Sequence, residues 1–366
     1  MEAYAEALIS EAEQQAAFCT EEIHTVYIGG GTPSLLPPEL LSHLLQRLRC
    51  VLPLQHPEEF TIEANPGTLT EAWLQSALGQ GMNRLSLGMQ AAQPGMLSVL
   101  GRIHDDAAVE ESVFMARRCG VRNLNLDLIF GIPTQTMTDW LDTLQDAVSL
   151  SPEHISAYGL IPEPGTPLAE QLDRGMLRLP DPEDEREMYD RAIAILAGAG
   201  YQQYEISNFS KKGYECRHNI GYWTRIPYLG LGVSAASLLR RPDTDALSGL
   251  FSEYPDSFEF RTANPSTISG YLEMIQSGNG TLRTCSAVSP EEARFETMML
   301  GLRLTEGVQE EAFMRQHHVS IEQAFGEHLS PSVQKGLLVR DHSSWRLTRL
   351  GMDLQNQVLV ELLPDD

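Results

Sequence analysis

The sequence predicts an α/β protein that contains a parallel sheet and a smaller, mainly helical C-terminal domain. From residue 20 to about residue 210, short apolar runs alternate with longer stretches of helical periodicity. Strands that recur every ~25 to 50 residues with helices between them are typical of a parallel sheet. After residue 288 the helical periodicity returns and leads into a short two-stranded ribbon, which resembles a winged helix. The length of 366 residues suits two domains of roughly 100 to 200 residues each.

The sheet region is predicted from apolar runs, taken as strands, and from the amphipathic stretches between them, taken as helices. The strands are Ile23–Ile28, Phe60–Glu63, Arg84–Leu87, Leu124–Phe130, Ile155–Ile161 and Tyr204–Ile206. The helices are Pro38–Arg49, Thr70–Gln80, Asp105–Cys119, Met137–Leu150 and Pro182–Ala199. Residues 1–17 form a helical pattern with no strand before it, so the repeat lacks its first strand. Ligands of a parallel sheet bind at the carboxyl ends of its strands, and we expect the functional residues there.

Three segments are expected along the chain. The first, residues 1–240, holds the sheet, and residues 241–288 form an irregular connection because they are rich in Ser, Pro, Gly, Thr and Asp. The third, residues 289–366, is the C-terminal domain. Its elements are helices at Glu291–Leu302, Gln309–Gln316, Ile321–Phe325 and Ser332–Gly336, strands at Leu337–Arg340 and Trp345–Thr348, and a last helix.

The composition indicates a globular protein with an acidic surface. Lys and Arg number 26 against 50 Asp and Glu, and the net charge of −24 disfavours nucleic acids and anionic membranes as partners. No apolar stretch is suited to membrane insertion, and the acidic N-terminus does not resemble a secretory signal. We therefore expect a cytoplasmic protein with no nucleic-acid partner, and a structural or partner-binding role for the winged-helix-like domain.

Glycines and isolated polar residues follow the predicted strands. Three glycines at 29–31 end the first strand, where they let a ligand approach the backbone or form a tight structural turn. Glu63 ends the next strand, where it can accept hydrogen bonds from ribose hydroxyls or remain a solvated loop acid. Further along, Gln90, Arg102 and Asp127 each stand among apolar residues or glycines. An arginine with a nearby carboxylate suits a zwitterionic, amino-acid-like ligand.

Six motifs and a C-terminal segment carry a family resemblance. They are Gly29-Gly-Gly-Thr-Pro33, Glu63-Ala-Asn-Pro66, Ser86-Leu-Gly-Met-Gln90, Leu100-Gly-Arg-Ile-His104, Asp127-Leu-Ile-Phe-Gly-Ile-Pro133, Tyr201-Gln-Gln-Tyr-Glu-Ile-Ser-Asn-Phe209 and Met299–Val308. Together they resemble the radical S-adenosylmethionine (SAM) family of oxygen-independent coproporphyrinogen III oxidases and HemW-type heme chaperones. The resemblance implies a partial TIM-like (β/α)6 radical SAM barrel that lacks its first strand. It also implies SAM contacts from the methionyl group through the ribose to the adenine, made by Gly30, Gly31, Thr32, Glu63, Gln90, Arg102, Asp127, Gly159 and Ala236.

A further motif, at residues 218–223, distinguishes the subgroups of that family. His218-Asn-x-x-Tyr222-Trp223 is similar to the heme-binding motif of HemW-type proteins. It supplies an imidazole that can serve as an axial iron ligand (His218) beside two aromatic rings that can pack on a macrocycle. From the spacing alone, the alternative is that His218 forms its hydrogen bonds within a loop and that Tyr222 and Trp223 pack in the core. Cys216 can add a soft ligand, although a plain buried thiol is the simpler interpretation.

The cysteines depart from the family pattern. The family holds a 4Fe-4S cluster with CxxxCxxC, whereas the five cysteines of this chain lie tens of residues apart with no metal-ligand spacing. We expect that the cluster motif lies ahead of residue 1 in a longer reading frame. A natural paralogue without a cluster is the alternative.

Three functions are therefore considered. The first is a HemW-type chaperone that transfers heme to client heme proteins of the respiratory chain. The second is a coproporphyrinogen III oxidase that decarboxylates propionates by radical chemistry, and the third is an inactive paralogue that serves as an interaction module. An unpaired sheet edge at Ile23–Ile28 also predicts poor solubility or a homodimer.

Overall fold

The computed structural model describes residues 1–19, 21–241, 258–278, 282–341 and 343–363. Contacts divide the chain into two compact units. The barrel unit consists of residues 25–42 and 58–216, and the terminal unit consists of residues 1–24, 43–57 and 217–366. No helix in the described ranges has both the length and the apolar character that a membrane span requires.

A curled seven-stranded sheet forms the half-barrel of the barrel unit. Its strands are β1 (Thr25–Ile28), β2 (Glu59–Ala64), β3 (Arg84–Gln90), β4 (Leu124–Phe130), β5 (His154–Gly159), β6 (Gln202–Glu205) and β7 (Asn208–Ser210). Strands β1 to β5 are parallel, and their order in the sheet follows the chain. The α/β class and the half-barrel architecture are thus confirmed, and β1 forms one edge of the sheet.

The last predicted strand differs from the structure. Residues 204–206 were expected as a sixth parallel strand, but β6 and β7 form a hairpin in which β7 pairs antiparallel with both β5 and β6. The tight turn between them is fixed by the Glu205 carboxylate, which accepts a hydrogen bond from the Ser207 backbone N–H at 3.0 Å and another from the Asn208 side chain. The chain reverses within two residues, so no crossover helix precedes β7.

Helices α2 to α8 follow the strands of this sheet. They are α2 (Pro38–Val51), α3 (Glu71–Gly79), α4 (Pro94–Val99), α5 (Asp106–Cys119), α6 (Met137–Ser149), α7 (Pro167–Asp173) and α8 (Pro182–Gly198). Local caps explain several of the predicted starts: Asp105 caps α5, and Thr136 forms a capping box at α6. Trp73 of α3 and Trp140 of α6 are almost fully buried and anchor the core on the helical side.

The terminal unit contains α1 (Glu2–Gln15), which confirms the N-terminal helix, and α9 (Arg217–Trp223). It also contains a three-stranded antiparallel sheet with the order β10-β9-β8. This sheet and its helix comprise β8 (Ala236–Arg240), β9 (Glu259–Ala263), α10 (Ile268–Ser277) and β10 (Thr284–Val288).

The irregular connection expected over 241–288 is therefore wrong for its described residues, because cross-strand pairing orders a polar segment whose composition suggests a loop. Residues 242–257 and 279–281 of that range lie outside the described residues.

The C-terminal part has helices and a ribbon as expected of a winged-helix-like domain, but the helices expected at Ile321–Phe325 and Ser332–Gly336 form one continuous helix. Its elements are α11 (Pro290–Gly301), β11 (Val308–Gln309), α12 (Glu310–His317), α13 (Ile321–Gln334), β12 (Leu338–Arg340), β13 (Ser344–Leu347), α14 (Arg349–Asp353) and α15 (Gln355–Glu361). The ribbon gains a third strand, β11, on the outer side of β13. Phe313, Leu329 and Trp345 belong to one apolar core that these elements share.

Candidate functional site

One face of the half-barrel sheet carries polar side chains at alternate positions. They are Thr61 and Glu63 on β2, Arg84 and Ser86 on β3, Asn125 and Asp127 on β4, and His154 and Ser156 on β5. Alternate residues of a strand share one face of the sheet, and these positions lie in register across the strands. Buried parallel strands are normally apolar almost throughout, so this face is specialised for hydrogen bonding.

Glu63 is held against the glycine-rich loop by two donors. The Tyr27 hydroxyl donates to Glu63 Oε1 at 2.6 Å, and the Gly30 backbone N–H donates to Oε2 at 3.1 Å. A Cβ at residue 29 would lie 2.7 Å from Glu63 Cδ, so only glycine leaves room for the carboxylate there. Gly30 and Gly31 have φ of 79° and 70° and are exposed, which leaves their backbone open to a ligand. The structure therefore brings Gly30, Gly31 and Glu63 together.

Thr32 and Gln90 lie near the same strand ends. Asn65 donates from Nδ2 to Thr32 Oγ1 at 3.0 Å. Gln90 ends β3 with a positive φ of 66°, next to an irregularity in the register with β4. A Cβ at Gly88 would lie 2.6 Å from Gln90 Nε2 and 3.6 Å from Asn65 Oδ1, so both amides lie beside that glycine. Thr32, Asn65 and Gln90 thus form one polar group at the end of the sheet.

Asp127 lies in the middle of β4, as its place within the predicted strand 124–130 implies, and not at the end of the strand; it is opposite Ser156 of β5. Its Oδ1 accepts a hydrogen bond from Asn125 Nδ2 at 2.8 Å, and its Oδ2 accepts one from Ser86 Oγ at 3.0 Å. Burial raises the pKa of Asp127, whereas these two hydrogen bonds lower it and the charge of Glu63 raises it further. Asp127 and Glu63 are therefore two interacting carboxyl groups on one face of the sheet.

Arg102, Gly159 and Ala236 occupy three separate places. Arg102 follows α4, well beyond the end of β3, and its side chain forms no ion pair within the described part of the chain. Gly159 ends β5, where an added Cβ would lie 2.9 Å from Glu185 Oε1. Ala236 belongs to the terminal unit and begins β8 as an exposed residue. The structure thus brings the predicted residues at the ends of β1, β2 and β3 together.

In the terminal unit, α9 presents His218 and Tyr222 one turn apart. His218 Nε2 lies 3.3 Å from the Tyr222 hydroxyl oxygen, and the two rings meet edge to face with centroids 4.9 Å apart. Tyr222 also meets Tyr228 edge to face at 4.7 Å, and it remains 37% exposed. Burial and the neighbouring Tyr228 raise the pKa of Tyr222. These three rings form a partly exposed cluster, which we call the α9 aromatic cluster.

Trp223 differs from its neighbours on α9. The Arg303 guanidinium lies 4.5 Å from the centroid of its ring, so one ring face is covered by a cation. Its buried Nε1 has no hydrogen-bond partner in the described ranges. Cys216, directly before α9, is a buried thiol that donates to Glu59 Oε1 at 3.2 Å, as the simpler interpretation predicts. Tyr222, which is exposed, therefore offers more open aromatic surface than Trp223 does.

Two family models match parts of this chain. Residues 3–147 match the model of the radical SAM superfamily, and residues 288–354 match the HemN C-terminal domain. A heme chaperone HemW from Lactococcus lactis is 34% identical over 367 residues, which cover 100% of this chain and 90% of that protein. The chain belongs to the HemW heme chaperone family. A HemW from Bacillus subtilis is 35% identical, with 93% of this chain and 86% of that protein covered.

The fold of this HemW family member matches a solved structure. Coproporphyrinogen III oxidase (HemN) from Escherichia coli superimposes with a TM-score of 0.79 at 23% identity, over 98% of this chain and 82% of that one. At this identity the likeness concerns the fold alone. It agrees with the curled half-barrel sheet and with the helical C-terminal part.

The residues of this HemW family member do not fit a 4Fe-4S cluster. Its five cysteines are Cys19, Cys50, Cys119, Cys216 and Cys285, and none belongs to a CxxxCxxC motif. Within the described ranges, no three His, Cys, Asp or Glu side chains converge on a possible metal site. The residues predicted to bind SAM, by contrast, are present: the backbone at Gly30 and Gly31 is open, and Glu63 is fixed beside it.

Several site residues of this HemW family member escaped the sequence analysis. Asn125 and His154 carry hydrogen bonds of the barrel site, yet no motif singled them out. The alternation of polar residues in Asn125-Leu-Asp127 and His154-Ile-Ser156 was the available signal, since period-two polarity marks one face of a strand.

Proposed function

We propose that this chain is a heme chaperone, which binds heme at the α9 aromatic cluster and passes it to client heme proteins of the respiratory chain. The observation that carries the proposal is the pairing of His218 with Tyr222 on a partly exposed helical face. Membership in the HemW family supports it, since the curated relatives are named heme chaperones.

The chemistry of the cluster suits heme as a cargo. His218 supplies an imidazole nitrogen that can ligate the heme iron, and Tyr222 supplies an aromatic face for the macrocycle. Tyr228 supports Tyr222 from the side. A partly exposed site permits release, which a carrier needs and a permanent heme protein avoids. The identity of the client proteins, the formation of a homodimer and a cytoplasmic location remain predictions.

Replacing His218 with alanine is expected to weaken heme binding about tenfold or more, because an axial ligand is lost. The measurement is a titration of hemin into the purified chain, followed by the Soret band. His43→Ala is the matched control, since His43 is half-exposed on α2 and pairs with the surface residue Glu6. An unchanged heme spectrum and affinity in His218→Ala would contradict the proposal.

We also propose that the barrel unit binds SAM. The residues that would hold it are Gly30, Gly31, Thr32, Glu63, Gln90, Arg102, Asp127 and Gly159, and Ala236 is a separate prediction in the terminal unit. Exposed glycine backbone suits the polar amino-acid part of the ligand, and the carboxylates of Glu63 and Asp127 suit hydroxyl and ammonium donors. When bound, SAM would supply a reactive sulfonium; the residues here bind and orient it.

Glu63→Gln is expected to weaken SAM binding about tenfold, since a neutral amide replaces the charged acceptor. The amide introduced by this substitution would also direct N–H groups towards the Gly30 N–H or the Tyr27 hydroxyl. Isothermal titration calorimetry with SAM measures the effect. Glu71→Gln is the control, because Glu71 forms an exposed pair with Arg118. Equal SAM affinities of the wild type and Glu63→Gln would contradict the assignment of Glu63 to the SAM pocket.

The oxidase and the inactive paralogue remain alternatives without an observation of their own. The likeness to HemN supports the fold, and the α9 aromatic cluster favours the chaperone.

A further inference from the structure

We propose that His154 is a positioning residue for Asp127. The Nδ1–H group of His154 acts through the Asn125 amide and thereby holds the Asp127 carboxylate in the orientation that SAM requires. The inference rests on the proposed function, because it assumes that Asp127 contacts the ligand. His154 is 0% exposed and lies on β5, beside Asn125 on β4. A fully buried histidine in the centre of a sheet otherwise has no part in the proposed function.

The orientation of the Asn125 amide follows from Asp127. Asn125 Nδ2 lies 2.8 Å from Asp127 Oδ1 and 2.7 Å from Ser86 Oγ, and Ser86 in turn donates to Asp127 Oδ2. A carboxylate accepts hydrogen bonds and donates none, so the amide must direct its N–H groups towards Asp127. The reverse orientation would place Asn125 Oδ1 against a carboxylate oxygen. Asp127 Oδ1 and Ser86 Oγ, whose hydrogen is donated to Asp127, both accept on this side and therefore fix the amide.

The amide orientation then fixes the tautomer of His154. Asn125 Oδ1 lies 2.6 Å from His154 Nδ1, and since this oxygen can only accept, Nδ1 carries the hydrogen. Burial, assisted by the nearby charge of Arg84, holds the pKa of His154 well below its usual value, so the ring is neutral. Its Nε2 is then an acceptor, and the Tyr204 hydroxyl 2.9 Å away donates to it. All donors along this chain point towards Asp127.

Without His154, the Asn125 Oδ1 atom loses its strongest fixed hydrogen-bond donor. The remaining donor to Asn125 Oδ1 is Ser156 Oγ, at 3.2 Å, which can rotate away. Asn125 could then turn, and Asp127 would lose one of its two N–H or O–H donors. The expected consequence is a carboxylate that is misplaced in the site although the sheet remains folded.

Two amide variants separate this role from simple core packing. In His154→Asn the side-chain N–H group occupies the place of Nδ1, whereas in His154→Gln it occupies the place of Nε2. We expect His154→Asn to bind SAM within about twofold of wild type and His154→Gln to bind about tenfold more weakly, as measured by calorimetry on the full chain. Equal losses in both variants would mean that His154 only fills space, and the proposal would fail.

A double-variant cycle tests the route through Asp127. In an Asp127→Asn background, His154→Gln is expected to cause no further loss of SAM affinity, since its target is already removed. Additive losses would overturn the proposal. Glu71→Gln serves as the control, because Glu71 forms an exposed pair with Arg118 outside this chain of hydrogen bonds; its SAM affinity should equal that of wild type.

A ligand-free measurement distinguishes this inference from the proposed function. Nitrogen NMR of the chain labelled at histidine should show His154 as the neutral Nδ1–H tautomer across the range in which exposed histidines titrate. An Nε2–H tautomer would overturn the positioning role even if SAM binds. A wild-type chain that shows the expected tautomer but does not bind SAM would instead refute the SAM pocket, and with it any role for His154 in that pocket.

Discussion

Replacing Glu11 with leucine is expected to lower the free energy of unfolding by about 3–5 kcal/mol, the cost of leaving a buried ionic partner alone. Glu11 is a fully buried acid on α1. Its Oε1 accepts hydrogen bonds from Arg283 Nη2 and from Asn264 Nδ2, both at 2.7 Å. Its Oε2 accepts from the Gly232 backbone N–H and from the Tyr271 hydroxyl, both at 2.8 Å. One carboxylate thus joins α1 to four distant segments of the terminal unit.

The size of the effect depends on what remains after the substitution. Arg283 is itself only 8% exposed at its side chain, so without Glu11 its positive charge would be buried with Asn264 as its remaining partner. The double variant with Arg283→Leu should be less destabilised than the sum of the two single variants, because it leaves no unpaired charge. Urea unfolding followed by circular dichroism gives all three values.

Glu13→Ala is the matched control on the same helix. Glu13 pairs with Arg47 at the surface, where both side chains are about half-exposed, and its loss should cost about 0–1 kcal/mol. If Glu11→Leu unfolds at the same urea concentration as Glu13→Ala, the carboxylate does not fasten α1 to the unit.

Local signals were sufficient to predict the five parallel strands of the barrel sheet, β1 to β5. The apolar run 124–130 matches β4 at both ends, because buried parallel strands leave a continuous apolar pattern. The helix expected from residue 137 begins there, because the capping box at Thr136 is a local feature of the sequence. The resemblance to the radical SAM family added the half-barrel, which periodicity alone left open.

Contacts between distant residues could not be predicted in this way. Glu11 meets Gly232 and Arg283 across 221 and 272 residues, so nothing near residue 11 distinguishes it from the surface acids of the same helix. The partners of Asp127 could not be predicted for a related reason: they depend on the register between β4 and its neighbours. Strand pairing and buried polar contacts form only in the assembled sheet. In each case one partner is selected among many that the sequence allows.

Arg225 is the second residue whose loss should cost much stability, and it lies just beyond α9. Its side chain is 1% exposed; Nη1 donates to Glu259 Oε2 at 2.7 Å and Nε donates to Glu296 Oε2 at 2.8 Å. The residue has a left-handed φ of 56°, so a sharp turn directs the guanidinium between β9 and α11. Arg225→Met should lower the free energy of unfolding by about 3 kcal/mol, since two largely buried carboxylates lose their shared cation.

The outer arginines provide the control for this prediction and connect it to heme. Arg240 and Arg261 pair with the same two carboxylates from the surface, are 45% and 46% exposed, and should each contribute less than about 1 kcal/mol. Because Arg225 fixes the chain that leaves α9, Arg225→Met should also weaken heme binding, whereas Arg240→Ala should leave it unchanged. Urea unfolding and the hemin titration test both parts. Wild-type heme affinity in a destabilised Arg225→Met variant would show that α9 keeps its geometry without this anchor. Equal destabilisation by Arg225→Met, Arg240→Ala and Arg261→Ala would contradict the larger contribution expected of Arg225.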